Sequence, residues 1–264
     1  MKRYIPNAVT CLNLLCGCLA LTFIFRGELV MGAYLVGIAA VADFFDGLLA
    51  RALRVSSPIG KDLDSLADMV SFGVVPGAIL YKLLASPLGM MPRPTSAFIT
   101  SIKYGSSQFT LPNPETLIAC LGFTVSIFSA LRLAKFNNDT RQTTSFIGLP
   151  TPACTLVVAS LPLILANDQF GVKEIILNPW LLLGLTVLLS GLLVAELPLF
   201  ALKFKNLKWL GNRRRFIFVA LALVLVSTLR AAGIPLAVLL YVLLSVPGRV
   251  RSRDGLEASP GNPQ

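Results

Sequence analysis

The sequence contains no histidine, so proton transfer or metal binding has to use carboxylates, Lys, Tyr or Cys. Charge is scarce as well: of 264 residues only 14% are charged and only 13 are acidic, while 55% are hydrophobic. With a mean hydropathy of +0.75, this composition excludes a soluble globular domain. The five cysteines, Cys11, Cys16, Cys18, Cys120 and Cys154, lie in apolar stretches without metal-type spacing and read as small buried thiols. Lys2-Arg3 followed by Leu15-Cys16-Gly17-Cys18 imitates a lipoprotein signal. That reading fails, because Pro6, Asn7, Thr10 and Asn13 make the run too polar for a simple signal core.

What is abundant is long apolar sequence, in runs near the ~20 residues that cross a ~30 Å hydrocarbon layer as a helix. Eight such segments are predicted, roughly Ile5 to Phe25, Leu29 to Leu53, Leu63 to Leu84, Thr116 to Leu133, Thr151 to Ala166, Pro179 to Leu197, Phe216 to Leu229 and Ile234 to Val246. The last two are short for full spans, so they are expected either as spans or as one kinked or re-entrant hairpin around Gly233-Ile234-Pro235. The fold class is therefore all-α, a polytopic transmembrane bundle of six to eight membrane helices. Residues 1–247 are expected to form one transmembrane domain, followed by a polar, disordered cytoplasmic tail over 248–264. The Pro-, Gly- and Ser-rich stretch from Ala85 to Glu115 reads as an outer loop without chemistry of its own.

A net charge of +10 would suggest nucleic acid in a soluble protein, but the positive-inside rule accounts for it here. With the N-terminus in the cytoplasm, 17 of the 23 Lys and Arg residues fall on the inner side. These include Arg51, Arg54 and Lys61, then Arg132, Lys135 and Arg141, then the stretch from Lys203 to Arg215. No nucleic-acid partner is expected. The expected location is a bacterial inner membrane, with an even number of spans and both ends in the cytoplasm.

The scarce acids are clustered: Asp43, Asp46, Asp62, Asp64 and Asp68, five of the 13, fall within 26 residues. Ionisable groups near membrane depth are costly, at ~2.5–3.5 kcal/mol each on insertion scales, and tend to be functional. Asp43, Asp46, Gly47 and Ala50 follow at i, i+3, i+4 and i+7, which places them on one helix face. Asp64 and Asp68 are one turn apart on the next helix. A turn around Ser57-Pro58-Ile59-Gly60 makes the two helices antiparallel and brings four carboxylates together at their cytoplasmic end. Four such charges require cations or protons. All-oxygen ligands select hard ions, so Mg²⁺ or Mn²⁺ is expected, as a pair suited to phosphate chemistry. Gly47 and Gly60 would let a bulky ligand lie against the backbone, and Arg51 could offer its guanidinium fork to phosphate. The competing readings are a salt-bridge network with Arg51, Arg54 and Lys61, or a cation transporter.

Read in full, the register is Asp43-x2-Asp46-Gly47-x2-Ala50-Arg51-x8-Gly60-x3-Asp64-x3-Asp68, eight fixed residues at fixed spacing. It resembles the signature of the CDP-alcohol phosphatidyltransferase family. The resemblance implies a membrane-embedded helical enzyme, often a homodimer, that moves a substituted phosphate from a CDP-linked lipid to an alcohol and releases CMP. It further implies that Asp43, Asp46, Asp64 and Asp68 are metal ligands, with Asp68 also the general base. Gly47, Ala50, Arg51 and Gly60 would surround the CDP group, with Asn7 and Thr10 nearby, although helix capping competes for the last two.

Three further stretches, Ile5-Pro6-Asn7-x2-Thr10-x2-Asn13-x3-Gly17, Asp64 to Val74, and Arg132 to Asn137 followed by Phe146-x-Gly148-Leu149-Pro150-Thr151-Pro152-Ala153, resemble the family's serine-using members. They imply CDP-diacylglycerol and L-serine as substrates and phosphatidylserine as product. The alternative is a sister transferase using glycerol 3-phosphate or inositol. Candidates for holding serine are Arg132, Lys135 and Arg141 for its carboxylate, and Ser71, Asn137, Thr151 and the backbone near Gly148 for its amine.

Overall fold

The computed structural model describes residues 4–55, 57–86, 114–138, 146–199 and 209–245. Over these the chain is the all-α membrane bundle expected from sequence. Its main helices are α1 (Tyr4–Phe25), α2 (Leu29–Ala52), α3 (Pro58–Ala85), α4 (Thr116–Asn138), α5 (Thr151–Ala166), α6 (Pro179–Val194), α7 (Trp209–Leu229) and α8 (Gly233–Ser245). Most of the 85–115 loop, the 248–264 tail, Lys203 to Lys208 and Arg141 lie outside the described residues.

Five stretches are long and apolar enough to cross a membrane, while α5 and α6 are shorter apolar helices of 16 residues each, about 24 Å long. Large apolar side chains face outward, among them Phe44, Leu131, Trp180, Leu188 and Leu223. In a bundle that sits in lipid this is the stable arrangement, because hydrocarbon solvates them as well as a core would. The interior is lined by Ala, Val and Leu of α1, α3, α5 and α6, such as Ala20, Val75, Ala78, Leu80, Val158 and Leu182.

Helices α1 and α2 form a tightly packed hairpin. α3 returns parallel to α1: at the end away from its start, Lys82 Nζ donates to the Phe25 carbonyl at 3.1 Å. α3 begins five residues before the predicted segment, for a local reason. Ser57 caps it by accepting from the Gly60 N–H at 3.0 Å, and Pro58 occupies the first turn, where no N–H is needed.

Just after Asp68, α3 widens into a π-turn over Met69–Val74. Pro76 explains it, since proline lacks an N–H and its ring would collide with the carbonyl four residues back. The carbonyls of Phe72 and Gly73 instead accept from Thr155 Oγ1 and Ser126 Oγ, both at 2.8 Å. Hydroxyls of α5 and α4 thus satisfy backbone groups that lipid could not, and they fix the rotation of α3 around its acidic turn.

The two C-terminal segments form two helices packed against each other. The chain reverses at Arg230, whose φ is 49°, and the rings of Phe218 and Tyr241 come to 5.5 Å. α7 starts at Trp209, seven residues before the predicted start. With 21 residues it reaches about 31 Å, a full span. Its first turns carry Arg213 and Arg215, and basic residues at a helix end at the membrane surface do not stop the helix.

Candidate active site

The site assembles where the start of α1, the end of α2 and the start of α3 meet. Carboxylate oxygens of Asp43, Asp64 and Asp68 lie within 4.8 Å of one another. Asp46, one turn further along α2, is buried, and its Oδ2 has no hydrogen-bond partner. It stands within electrostatic reach of Asp43, Asp64 and Asp68. Arg51 and Lys61, close in sequence to these acids, bond to backbone carbonyls instead. Arg51 Nε donates to the Gly47 carbonyl at 2.9 Å, and Lys61 Nζ to the Asn137 carbonyl at 3.4 Å. Converging oxygens and an orphaned buried carboxylate oxygen are what a divalent hard cation satisfies.

Beside the cluster opens a cavity of about 240 Å³, lined by Pro6, Asn7, Thr10, Asp46, Gly47, Ala50, Val55, Ser57, Gly60, Lys61 and Asp64. Asp46 and Asp64 therefore belong to the acidic cluster and to the cavity wall at once. Five of the six residues expected around a CDP group are in this wall: Asn7, Thr10, Gly47, Ala50 and Gly60. Arg51 is exposed and bonded back along its own helix, outside the wall. The two glycines differ in purpose. A Cβ on Gly47 would meet nothing within 4 Å, so the wall is open to a ligand there. On Gly60 it would come to 3.0 Å from Asn7 Oδ1 and 2.9 Å from Ser57 Oγ, so Gly60 lets α3 approach α1.

Arg132 of α4 is only 8% exposed. Its Nη1 donates to Thr151 Oγ1 at 3.4 Å, its guanidinium lies 5.8 Å from the Phe136 ring, and its Nε has no partner. Asp68, Cys154 of α5 and Tyr241 of α8 are in its electrostatic surroundings. A guanidinium buried this deeply with a free donor has the chemistry to take an anion.

The other acceptor-side candidates are placed differently. Ser71 is fully buried and donates to the Asn13 carbonyl at 3.1 Å. Asn137 donates to Ser65 Oγ at 2.9 Å, clasping the end of α4 to the acidic turn of α3. Lys135 is exposed, and Arg141 lies outside the described residues.

Sequence reasoning did not place in the site Asn13, whose Nδ2 donates to Asp68 Oδ1 at 3.4 Å, or the wall residues Pro6, Val55, Ser57 and Lys61. The signal for Asn13 was present, as a polar residue in register with Pro6, Thr10 and Gly17 inside an apolar run.

The approach to Thr151 is held by a strap that sequence did not predict. Phe146–Ile147 pairs antiparallel with Pro198–Leu199, Gly148 N donates to the Leu197 carbonyl at 3.0 Å, and Leu149 N to the Leu192 carbonyl at 2.9 Å. Gly148 has φ +79°, and a Cβ there would stand 2.7 Å from the Leu193 carbonyl oxygen. Gly148→Ala is therefore expected to cost about 2–3 kcal/mol. The measurement is the melting temperature of the detergent-solubilised protein, and a value equal to wild type would contradict this role for the strap.

Comparison with known proteins gives the following. Residues 3–190 match the family model described as CDP-alcohol phosphatidyltransferase. A Helicobacter pylori (strain J99) protein named CDP-diacylglycerol--serine O-phosphatidyltransferase is 31% identical over 235 residues, covering 87% of this chain and 84% of the relative. A Bacillus subtilis protein of the same name is 31% identical over 181 residues, covering 67% of this chain and 88% of the relative. A Mycobacterium leprae protein, again so named, is 26% identical over 267 residues, with 98% and 78% covered.

Proposed function

This chain belongs to the CDP-alcohol phosphatidyltransferase family, and from that premise we propose that it transfers the phosphatidyl group of CDP-diacylglycerol to the hydroxyl of L-serine, giving phosphatidylserine and CMP. The single observation that supports the chemistry is the convergence of the Asp43, Asp64 and Asp68 carboxylates beside the cavity, with the buried Arg132 in the electrostatic surroundings of Asp68. The choice of serine is supported by the names of the relatives.

Asp43, Asp46, Asp64 and Asp68 would hold Mg²⁺ or Mn²⁺, two ions by the number of ligands. When bound, these neutralise the pyrophosphate and stabilise charge on the transferring phosphate and the departing CMP. The wall of Asn7, Thr10, Gly47, Ala50 and Gly60 receives the CDP group, and Arg51 and Lys61 stand at the mouth to attract its phosphates. The acyl chains remain in lipid, beside outward apolar residues such as Phe44 and Phe45. Arg132 binds the serine carboxylate, with Lys135 and Arg141 drawing the anion in; Ser71 and Asn137 hold the helices that shape this side. Asp68 accepts the proton of the serine hydroxyl, whose oxygen forms a bond to the lipid-side phosphorus as the bond to the CMP oxygen breaks.

The site faces the cytoplasm of a bacterial inner membrane. Residues 1–247 act as one catalytic domain, with 248–264 as its cytoplasmic tail, and the enzyme is a homodimer.

The test supplies purified protein in detergent with CDP-diacylglycerol, Mn²⁺ and L-serine, inositol or glycerol 3-phosphate in turn. CMP release with serine alone is expected. Release with inositol or glycerol 3-phosphate but not with serine would overturn the acceptor. No CMP with any alcohol, together with cation flux through reconstituted vesicles, would favour the transporter reading.

A further inference from the structure

α1 carries a polar contact that the chemistry above leaves unused. Pro6, Thr10, Asn13 and Gly17 follow at steps of four, three and four residues, and all four are buried on one face of the helix. Pro6 and Thr10 line the cavity. Asn13, one turn deeper, has no exposed surface. Its Nδ2 donates to Asp68 Oδ1 at 3.4 Å, its backbone carbonyl accepts from Ser71 Oγ at 3.1 Å, and its Oδ1 is buried without a partner. Gly17 makes the approach possible, because a Cβ there would run into Ser71 Oγ.

A primary amide is unfavourable in an apolar bundle unless its bonds matter, and leucine would fill the same volume. The amide offers what leucine lacks, a donor that bonds a carboxylate oxygen without adding charge.

We propose that Asn13 is a positioning residue for Asp68. By holding one carboxylate oxygen, it fixes Asp68 in the orientation in which the oxygens of Asp43, Asp64 and Asp68 converge. It also ties that orientation to the helix that walls the cavity. Pro6 and Asn13 are about 10 Å apart along one rigid helix, so the nucleotide wall and the reacting carboxylate share a common frame. The proposal rests on the transferase reading only through the metal-binding and base roles given to Asp68.

The test measures Mn²⁺ affinity from the electron paramagnetic resonance signal of the free ion, on purified protein without nucleotide or alcohol. Wild type, Asn13→Leu, Asn13→Gln, Asp68→Asn and the variants combining each Asn13 change with Asp68→Asn are compared. Residues that orient metal ligands contribute about 10- to 100-fold to affinity or activity. Asn13→Leu is therefore expected to weaken Mn²⁺ binding about 10-fold or more. Asn13→Gln, which keeps the donor, should weaken it less. In the Asp68→Asn background neither change should add a further loss, because the amide acts only through that carboxylate.

With CDP-diacylglycerol and serine, Asn13→Leu should lower kcat by a similar factor, about 10-fold or more, and leave KM for the lipid within about threefold. Its melting temperature should stay at or above that of wild type. Wild-type Mn²⁺ affinity in folded Asn13→Leu, or additive losses in the combined variants, would overturn the proposal. If Asn13→Leu does not fold, Asn13→Gln in the two backgrounds decides by the same criterion. If wild type releases no CMP with serine, the acceptor reading fails alone, and the Mn²⁺ comparison still decides the role of Asn13.

Discussion

Asp68→Asn is expected to lower CMP release by about 10²- to 10⁴-fold, the usual contribution of a positioned general base, while the protein still binds CDP-diacylglycerol. Asn keeps the shape of the side chain and can still be held in the bundle, but it cannot take the proton of the attacking hydroxyl. On the proposed reading the lipid is held mainly elsewhere, by the cavity wall that includes Asn7, Thr10, Gly47, Ala50, Gly60, Asp46 and Asp64. Binding measured with a labelled CDP-lipid, alongside CMP release, separates the two effects. Turnover at the wild-type rate would remove Asp68 as the base, and loss of binding equal to the loss of turnover would make it a ligand-holding residue only.

Arg132→Met carries the second large effect. A charged hydrogen bond contributes about 1.5–3 kcal/mol, so kcat/KM for serine should fall roughly 10- to 100-fold. Stability should behave differently. Arg132 is 8% exposed and has Asp68 in its electrostatic surroundings, so an apolar side chain of similar length relieves a buried guanidinium but takes its charge away from Asp68, and the two effects oppose. The melting temperature should therefore move little while serine use collapses. Arg132→Lys should restore little, because an ammonium cannot reproduce the planar fork that grips a carboxylate. A wild-type KM for serine in Arg132→Met would show that the acceptor is recognised elsewhere.

The reason the acidic site was legible in sequence is that helix geometry is local. Asp43, Asp46 and Gly47 must share a face whatever packs against them, and Asp64 and Asp68 likewise. The Pro58 start and the Ser57 cap then make the two faces meet. The split within the four acids was not legible: Asp43, Asp64 and Asp68 cluster, while Asp46 lies in the cavity wall with a buried Oδ2 that has no hydrogen-bond partner. That division depends on how far α2 slides against α3, which no spacing encodes.

The acceptor side was harder for the same reason. Arg132 and Lys135 occupy one helix and were equal candidates for the carboxylate, but Arg132 is buried and Lys135 exposed, while Asn137, a candidate for the amine, is drawn to Ser65. The strap at Gly148 escaped notice because a two-residue bridge between Phe146–Ile147 and Pro198–Leu199 has no periodicity to detect. The π-turn after Asp68 is visible only in hindsight through Pro76, since a proline in a membrane helix can kink it, widen it or leave it nearly straight. In the C-terminal hairpin, apolar composition gave the helices but not their reversal, which depends on Arg230 adopting a left-handed conformation.

The most direct measurement of the central claim follows the attacking oxygen. L-Serine labelled with ¹⁸O in its hydroxyl is supplied with CDP-diacylglycerol and Mn²⁺, and the lipid product and CMP are analysed by mass spectrometry. The label is predicted in the oxygen that bridges serine and phosphorus in phosphatidylserine, with none in CMP. Label in CMP, or CMP released without any serine-containing lipid, would contradict it.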